Sequence, residues 1–249
     1  MELLEIVILS LIQGITEWLP ISSSGHLVIA EQLLNIEVPF YYNILLHFAT
    51  LLVIFLVFHK EILKIIKAFL KRDFKSPDGK LGIYIILGSI PTAIIGFTFH
   101  DLFKSFFTNL TVVAFGLLAT GILLLSTKFI KSNRKMKWYD SILIGIAQGL
   151  AIIPGVSRSG STISTSLLFG INKEQATTFS FLLAVPAILG ATIFDFSPEP
   201  LSFNMILGLI LTVIIGYLSL RILIKLIIKN KFHYFAWYCF ILGIILLIL

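Results

Sequence analysis

Cysteine, charged residues and clustered metal ligands are scarce in this chain of 249 residues. Its one cysteine, Cys239, cannot form a disulfide within the chain, and we expect it to pack in the interior. Cysteine and histidine are too few and too dispersed for a zinc-type site. Charged residues make up 13% of the chain and hydrophobic residues 57%, a balance that excludes an ordinary soluble protein.

Long apolar runs dominate the sequence instead. Six of them approach the roughly 20 helical residues that span a bilayer, at about 41–58, 81–99, 111–127, 177–194, 203–220 and 234–249. Glu2 and Glu5 begin the chain without a basic residue nearby, so we expect no cleaved signal peptide. The sequence therefore predicts an all-α polytopic membrane protein that forms a single integral membrane domain over 1–249.

Basic residues are concentrated in a few places. Most of the 19 lysines and arginines lie in three connections, at about 60–80, 128–137 and 221–231. The positive-inside rule places these connections in the cytoplasm, where they meet anionic membrane lipid. Because topology accounts for the net charge of +6, we expect no nucleic-acid partner.

Two copies of one motif, residues 13–26 and 148–161, hold most of the polar residues expected within the membrane. At a constant offset, five pairs are identical: Gln13/Gln148, Gly14/Gly149, Ser22/Ser157, Ser24/Ser159 and Gly25/Gly160. The copies differ at three other pairs: Glu17/Ile152, Ser23/Arg158 and His26/Ser161. One scaffold with different chemistry in each copy predicts a single site built from two halves.

Each motif copy is apolar but interrupted by proline, glycine and serine, which predicts a re-entrant helical hairpin. A second match, between 87–96 and 207–216, extends the repeat. Each half then contains one hairpin and three spans, over about 1–130 and 138–249. Because three is odd, the halves form an inverted repeat, and the hairpins meet near the bilayer midplane. The other explanation is coincidental glycine- and serine-rich helix packing.

Arg158 is the only lysine or arginine in either motif. An unpaired arginine at a helix centre costs about 2.5–3.5 kcal/mol, so it requires an anion or a cavity. A helix that begins near Ser159 would direct free N–H groups toward the same point, a combination that suits phosphate. No lysine follows the glycines, which excludes a Walker loop. Alternatively, Arg158 pairs with Glu17 across the repeat interface.

The first hairpin carries the acidic residue. Gln13 and Glu17 are one helical turn apart, so both side chains point the same way. Their oxygens suit Mg²⁺ or Ca²⁺, which prefer oxygen ligands. Alternatively, Glu17 reaches toward the membrane interface beside Trp18.

Hydroxyl and imidazole groups follow in the same hairpin. The run Ser22–Ser24 before His26 suggests a nucleophile with a nearby base or acid. Serines in such a run also serve as caps or turn residues. His47, in the first span, is a secondary candidate.

Two signatures in these motifs resemble those of the undecaprenyl-diphosphate phosphatases of the bacitracin-resistance type. The first comprises Gln13, Glu17, Pro20, Ser22, Ser23, Gly25 and His26, and the second Pro154, Gly155, Ser157, Arg158, Ser159 and Thr162. The resemblance covers essentially the whole chain. It implies removal of the terminal phosphate of undecaprenyl diphosphate, which yields the monophosphate carrier of peptidoglycan synthesis and confers bacitracin resistance. It also implies six spans, two re-entrant hairpins, the bacterial cytoplasmic (inner) membrane and a site that opens to the outer face.

The resemblance also implies roles for individual residues. The catalytic residues are an essential acid, a nucleophile, a histidine and a diphosphate-binding arginine: Glu17, Ser23, His26 and Arg158. The substrate-binding residues are Ser22, Ser157, Arg158, Ser159 and Thr162. The ligands of a divalent cation, Mg²⁺ or Ca²⁺, are Glu17 and Gln13.

Two positions depart from the family pattern. Gln13 is the amide variant of a Glu-or-Gln position, and Asn43 stands where other members often carry an acid. Both departures weaken a two-carboxylate metal site. Independently of these departures, a metal-activated water is an alternative nucleophile to Ser23. The oligomeric state is open, with a homodimer as one option.

Another class of function fits part of the pattern. Inverted repeats with broken hairpins are also typical of transporters, so a carrier or flippase for a polyprenyl phosphate is the alternative. Chemistry confined to one half, at Glu17, Ser23 and His26, favours an enzyme. An anion channel is disfavoured because one arginine beside a carboxylate makes a poor anion pore. The type 2 phosphatidate phosphatase superfamily is excluded because Ser164 occupies the position of its histidine nucleophile.

Overall fold

The computed structural model describes residues 2–36, 38–130, 133–194 and 200–248, and every regular element within them is helical. The α-helices in chain order are α1 (Leu3–Thr16), α2 (Ser23–Leu34), α3 (Phe40–Leu70), α4 (Pro77–Thr98), α5 (His100–Phe106), α6 (Leu110–Ser126), α7 (Trp138–Leu150), α8 (Arg158–Leu168), α9 (Lys173–Phe194), α10 (Phe203–Ile228) and α11 (Phe235–Ile248). Short 3₁₀ turns lie at Thr127–Phe129 and Phe232–Tyr234. The all-α prediction is confirmed.

Among the described helices, α3, α4, α6, α9 and α10 are long and apolar enough to cross a membrane. They coincide with the first five predicted runs, and the chain is a multi-pass membrane protein. Large apolar side chains such as Phe115 and Ile122 are exposed on these helices, as expected for surfaces that face lipid. Helix α11 lies on the sixth run but has 14 residues, fewer than the roughly 20 needed to span. Its role as a span stays a prediction.

The basic segments are more helical than the sequence indicated. Helix α3 is 31 residues long and continues to Leu70, so Lys60, Lys64 and Lys67 of the first predicted connection lie on it. Helix α10 likewise runs through Arg221 to Ile228. Lysine and arginine are good helix formers, so an apolar run can end where its helix does not. Lys131, in the second connection, lies outside the described residues.

A pair of short helices lies at the place of each predicted hairpin, while the re-entrant course of the hairpins in the membrane stays a prediction. Helices α1 and α2 have 14 and 12 residues, and α7 and α8 have 13 and 11. At about 1.5 Å per residue, none of them reaches across a hydrocarbon core about 30 Å thick. A serine caps the second helix of each pair: Ser22 Oγ accepts from the N–H of Gly25 at 3.2 Å, and Ser157 Oγ from that of Gly160 at 3.1 Å.

The halves pack on each other reciprocally. Helix α1 packs on α10, and its counterpart α7 packs on α4. A Cβ at Gly14 would lie 2.9 Å from Cβ of Ile215, and a Cβ at Gly149 would lie 2.8 Å from Cδ1 of Ile95. Each half therefore places the glycine of its own motif against an isoleucine of the other half. This packing supports the predicted repeat, while the opposite orientation of the halves stays a prediction.

Candidate active site

The tips of the two hairpins are in direct contact. Ser22 Oγ, besides capping its own helix, accepts from the N–H of Gly155 in the other hairpin at 3.0 Å. Gly155 has φ +91, and a Cβ there would lie 2.2 Å from the carbonyl oxygen of Val113. A Cβ at Gly25 would lie 3.1 Å from the backbone of Gly155. Gly25 therefore allows the hairpins to approach closely, and Gly155 allows the second hairpin to pack against α6.

An ion pair joins the hairpins beside this contact. Arg158 is the first residue of α8, and its Nη2 donates to Oε1 of Glu17 in the turn of the first hairpin. The Glu17 side chain is fully buried, whereas that of Arg158 is 22% exposed. A buried carboxylate requires such a partner. The pairing was the alternative assignment for Arg158, and it brings both halves into one site.

The second carboxylate oxygen of Glu17 contacts three more side chains. Ser23 Oγ donates to Oε2 at 2.6 Å, and Gln13 Nε2 donates to it at 3.0 Å. His47 Nδ1 lies 3.1 Å from Oε2 and 2.9 Å from Gln13 Nε2. Four predicted residues therefore meet at one point: Gln13, Glu17, Ser23 and Arg158. His47, the secondary candidate, joins them from α3.

Ser23 has the geometry of an activated nucleophile. It is the first residue of α2, and its hydroxyl is half-buried next to the carboxylate. The Oγ to Oε2 distance of 2.6 Å lies within the range expected for a base and the proton it takes. Glu17 can therefore accept the Ser23 proton, while Arg158 on the other carboxylate oxygen stays within reach of an anion.

His26, predicted to be catalytic, is held elsewhere. Its Nδ1 lies 2.7 Å from the carbonyl oxygen of Ser22, and its Nε2 lies 2.7 Å from the hydroxyl of Tyr238 on α11. Because both ring nitrogens have these partners, His26 is not the base of Ser23 in this arrangement. The histidine that contacts the carboxylate is His47. Its position inside an apolar helix was the available signal, since ionisable residues at membrane depth are functional candidates by default.

The predicted substrate hydroxyls mostly shape the hairpin tips. Ser22 and Ser157 cap α2 and α8. Ser159 lies beside Ser157, with 3.3 Å between the hydroxyl oxygens. Thr162 is buried and donates to the carbonyl of Arg158 at 2.9 Å. These groups hold the backbone around Arg158, and their contact with substrate stays a prediction.

The donor set fits a divalent cation only in part. Among the described residues, no group of three or more His, Cys, Asp and Glu is arranged to hold a metal. Glu17 offers its carboxylate, and Gln13 is fully buried with an Oε1 that has no hydrogen-bond partner among these residues. Mg²⁺ is commonly held by one or two carboxylates together with phosphate oxygens and water. The two residues therefore fit a cation that is shared with a phosphate.

Comparison with known proteins agrees with this chemistry. A family model described as Bacitracin resistance protein BacA matches residues 6–245. Proteins named undecaprenyl-diphosphatase from Korarchaeum cryptofilum, Alkaliphilus metalliredigens and Halothermothrix orenii are 38%, 39% and 40% identical to the chain. Each match covers at least 97% of this chain and at least 96% of the relative.

Proposed function

The chain belongs to the BacA family of bacitracin resistance proteins, and we propose that it removes the terminal phosphate of undecaprenyl diphosphate within the membrane. Relatives of nearly the same length carry the name undecaprenyl-diphosphatase. One observation carries the proposal: Glu17 contacts Ser23 through one carboxylate oxygen and Arg158 through the other. A base, a nucleophile and an anion-binding group therefore meet at the contact of the two hairpins.

Arg158 binds the diphosphate. A guanidinium at the first position of α8 adds its charge to the positive end of that helix's dipole. Planar N–H groups bind phosphate through paired hydrogen bonds, which orients the substrate as well as holding it. When the diphosphate binds, Arg158 exchanges its contact with Glu17 for the phosphate oxygens. The carboxylate is then free to act as a base.

Ser23 attacks the terminal phosphorus. A bond forms between Ser23 Oγ and phosphorus as the bond to the bridging oxygen breaks, and undecaprenyl phosphate leaves. Glu17 takes the Ser23 proton. Water then attacks the phosphoryl-serine, inorganic phosphate leaves, and the proton returns to Ser23 Oγ. Because phosphoryl transfer requires mostly charge stabilisation and alignment, Arg158 has its largest effect on the oxygens of the transferred phosphate.

His47 and Gln13 hold the carboxylate in place. Both lie within hydrogen-bonding distance of Glu17 Oε2, the oxygen that Ser23 faces. We therefore propose that Gln13 and His47 orient the Glu17 carboxylate, which acts as the base. A divalent cation, Mg²⁺ or Ca²⁺, bound to Glu17 and Gln13 Oε1 together with the phosphates would offset the charge of the leaving phosphate. Direct attack by water on the terminal phosphorus, in place of Ser23, is the competing route.

The substrate enters from the outer side of the cytoplasmic membrane. The basic residues of 60–80, 128–137 and 221–231 support a cytoplasmic position for those segments. The first hairpin, which precedes α3, then enters from the opposite face. The polyprenyl tail lies among the apolar helices while the diphosphate reaches the hairpin tips. A polyprenyl phosphate transporter, the alternative left open by the sequence, is not favoured by the names of the relatives.

Phosphate release from undecaprenyl diphosphate by the purified protein in detergent tests the proposal. It should be measured with Mg²⁺, with Ca²⁺ and with chelator, beside Arg158→Ala. We expect metal-dependent release that is lost in the variant. A folded wild-type protein that releases no phosphate would contradict the proposal, and a liposome assay for lipid phosphate movement would then test transport.

A further inference from the structure

The last helix contacts the first hairpin through two neighbouring side chains, Tyr238 and Cys239. Tyr238 on α11 lies with its hydroxyl 2.7 Å from Nε2 of His26, and the two rings stack with centroids 5.6 Å apart and an interplanar angle of 12°. The neighbouring Cys239 lies against the same hairpin, with its Sγ 3.7 Å from the carbonyl oxygen of Pro20. Helix α11 therefore supports the turn that precedes Ser23.

The two partners of His26 determine where its proton sits. The carbonyl oxygen of Ser22 can only accept, so Nδ1 must carry a hydrogen and donate to it at 2.7 Å. In a neutral ring, Nε2 then has a lone pair and accepts the hydrogen of the Tyr238 hydroxyl. For a neutral ring, the pair of contacts thus selects the tautomer with its proton on Nδ1.

The carbonyl that accepts the Nδ1–H hydrogen bond belongs to Ser22, whose backbone conformation is unusual. Ser22 has φ 70 and ψ 99, which is sparsely populated for a residue with a side chain. Its carbonyl receives both the Nδ1–H and the backbone N–H of His26, the latter at 3.2 Å. Its hydroxyl receives the N–H groups of Gly25 and Gly155. Hydrogen bonds to its carbonyl and to its hydroxyl therefore fix the position of Ser22, and the next residue is Ser23.

We propose that Tyr238 is a positioning residue of the site, which fixes the His26 ring so that its Nδ1–H holds the Ser22 carbonyl and thereby aims Ser23 at the Glu17 carboxylate. The proposal rests on the proposed function for its kinetic consequence. His26 then serves as a backbone clamp, and Tyr238 acts through it without touching the reacting atoms.

A double-mutant cycle tests this arrangement. Tyr238→Phe keeps the stacked ring and removes the hydroxyl, and we expect kcat for phosphate release to fall about tenfold with little change in KM. His26→Asn places an N–H donor near the position of Nδ1 but cannot reach Tyr238. We expect it to retain more activity than His26→Ala, and Tyr238→Phe to have no further effect in the His26→Asn background. Tyr234→Phe is the matched control, because the Tyr234 ring contacts another histidine, His233, near the start of α11 in a tilted arrangement.

A spectroscopic measurement separates the proposal from the activity. In protein labelled with ¹⁵N-histidine, the signals of His26 are those lost in His26→Asn. We expect a neutral ring with the proton on Nδ1, and a shift of the Nε2 signal in Tyr238→Phe but not in Tyr234→Phe. Wild type without phosphatase activity would overturn the proposed function and leave this signature intact. An active wild type in which Tyr238→Phe changes neither kcat nor the Nε2 signal, or adds its full effect to His26→Asn, would overturn the positioning role.

Discussion

Replacing Glu17 with glutamine tests the base directly. The change keeps the shape of the side chain but removes the charge and the ability to take a proton. We expect kcat for phosphate release to fall by about 100- to 10,000-fold, the usual contribution of a general base. That range corresponds to about 3–5 kcal/mol of transition-state stabilisation. Steady-state phosphate release in detergent measures it.

The affinity of Glu17→Gln for the substrate should not fall with kcat. Arg158 is paired with Glu17 Oε1, so under the proposed mechanism the carboxylate and the phosphate compete for this guanidinium. Glutamine binds a guanidinium less strongly than a carboxylate does, so Arg158 becomes more available to an anion. We expect Glu17→Gln to bind undecaprenyl diphosphate as tightly as wild type or more tightly. Equilibrium binding in the same detergent measures this, because the expected loss of kcat slows consumption of the ligand during the measurement.

Glu31→Gln is the matched control in the same hairpin. The carboxylate of Glu31 accepts from Asn43 Nδ2 at 2.9 Å, a bond that a glutamine oxygen preserves. We expect its kcat to stay within about threefold of wild type. The reasoning is refuted if Glu17→Gln, eluting as a monodisperse protein, also retains kcat within threefold. Equal losses in both variants would attribute the effect to general destabilisation.

Other predictions follow from the same geometry. Ser23→Ala should lower phosphate release at least about 100-fold, whereas Ser24→Ala should lower it less than about fivefold; similar values would contradict a serine nucleophile. Arg158→Lys should weaken pyrophosphate binding about tenfold by titration calorimetry, because a point charge replaces a planar fork, and unchanged affinity would contradict the anion site. Gly25→Ala should lower the melting temperature, since its Cβ would lie 3.1 Å from backbone, while Gly190→Ala, with nothing within 4 Å, should not; equal melting temperatures would contradict the close approach. Chelation should abolish phosphate release and added Mg²⁺ or Ca²⁺ should restore it, so release that resists chelation would remove the cation from the account.

The features of the site that could be predicted from the sequence are those that depend on short stretches of residues. The repeated Gln-Gly motif, with its serine caps and glycines, predicted two broken hairpins, and two such helix pairs are present. The difference between the copies predicted a joint site, and Glu17 and Arg158 do meet across the hairpin contact. Capping, turn formation and a need to pair buried charge are local requirements that the residues themselves display.

The contacts that sequence reasoning missed depend on packing between distant segments. His47 lies 34 positions from Gln13, and its approach to Glu17 depends on the rotation of α3. His26 turns toward Tyr238, 212 positions away, and a motif alone shows no such partner. The lengths of α3 and α10 were underestimated because lysine and arginine end an apolar run without ending a helix.

Capture of a phosphorylated enzyme tests the central claim most directly. Wild-type protein would be mixed with undecaprenyl diphosphate labelled in its terminal phosphate, quenched in acid within one turnover, digested and examined by mass spectrometry. The account predicts a labelled phosphoserine at Ser23, with a larger amount when the second step is slowed, and none in Ser23→Ala. Turnover at the full rate without label on Ser23, together with activity in Ser23→Ala, would contradict the account and favour direct attack by water.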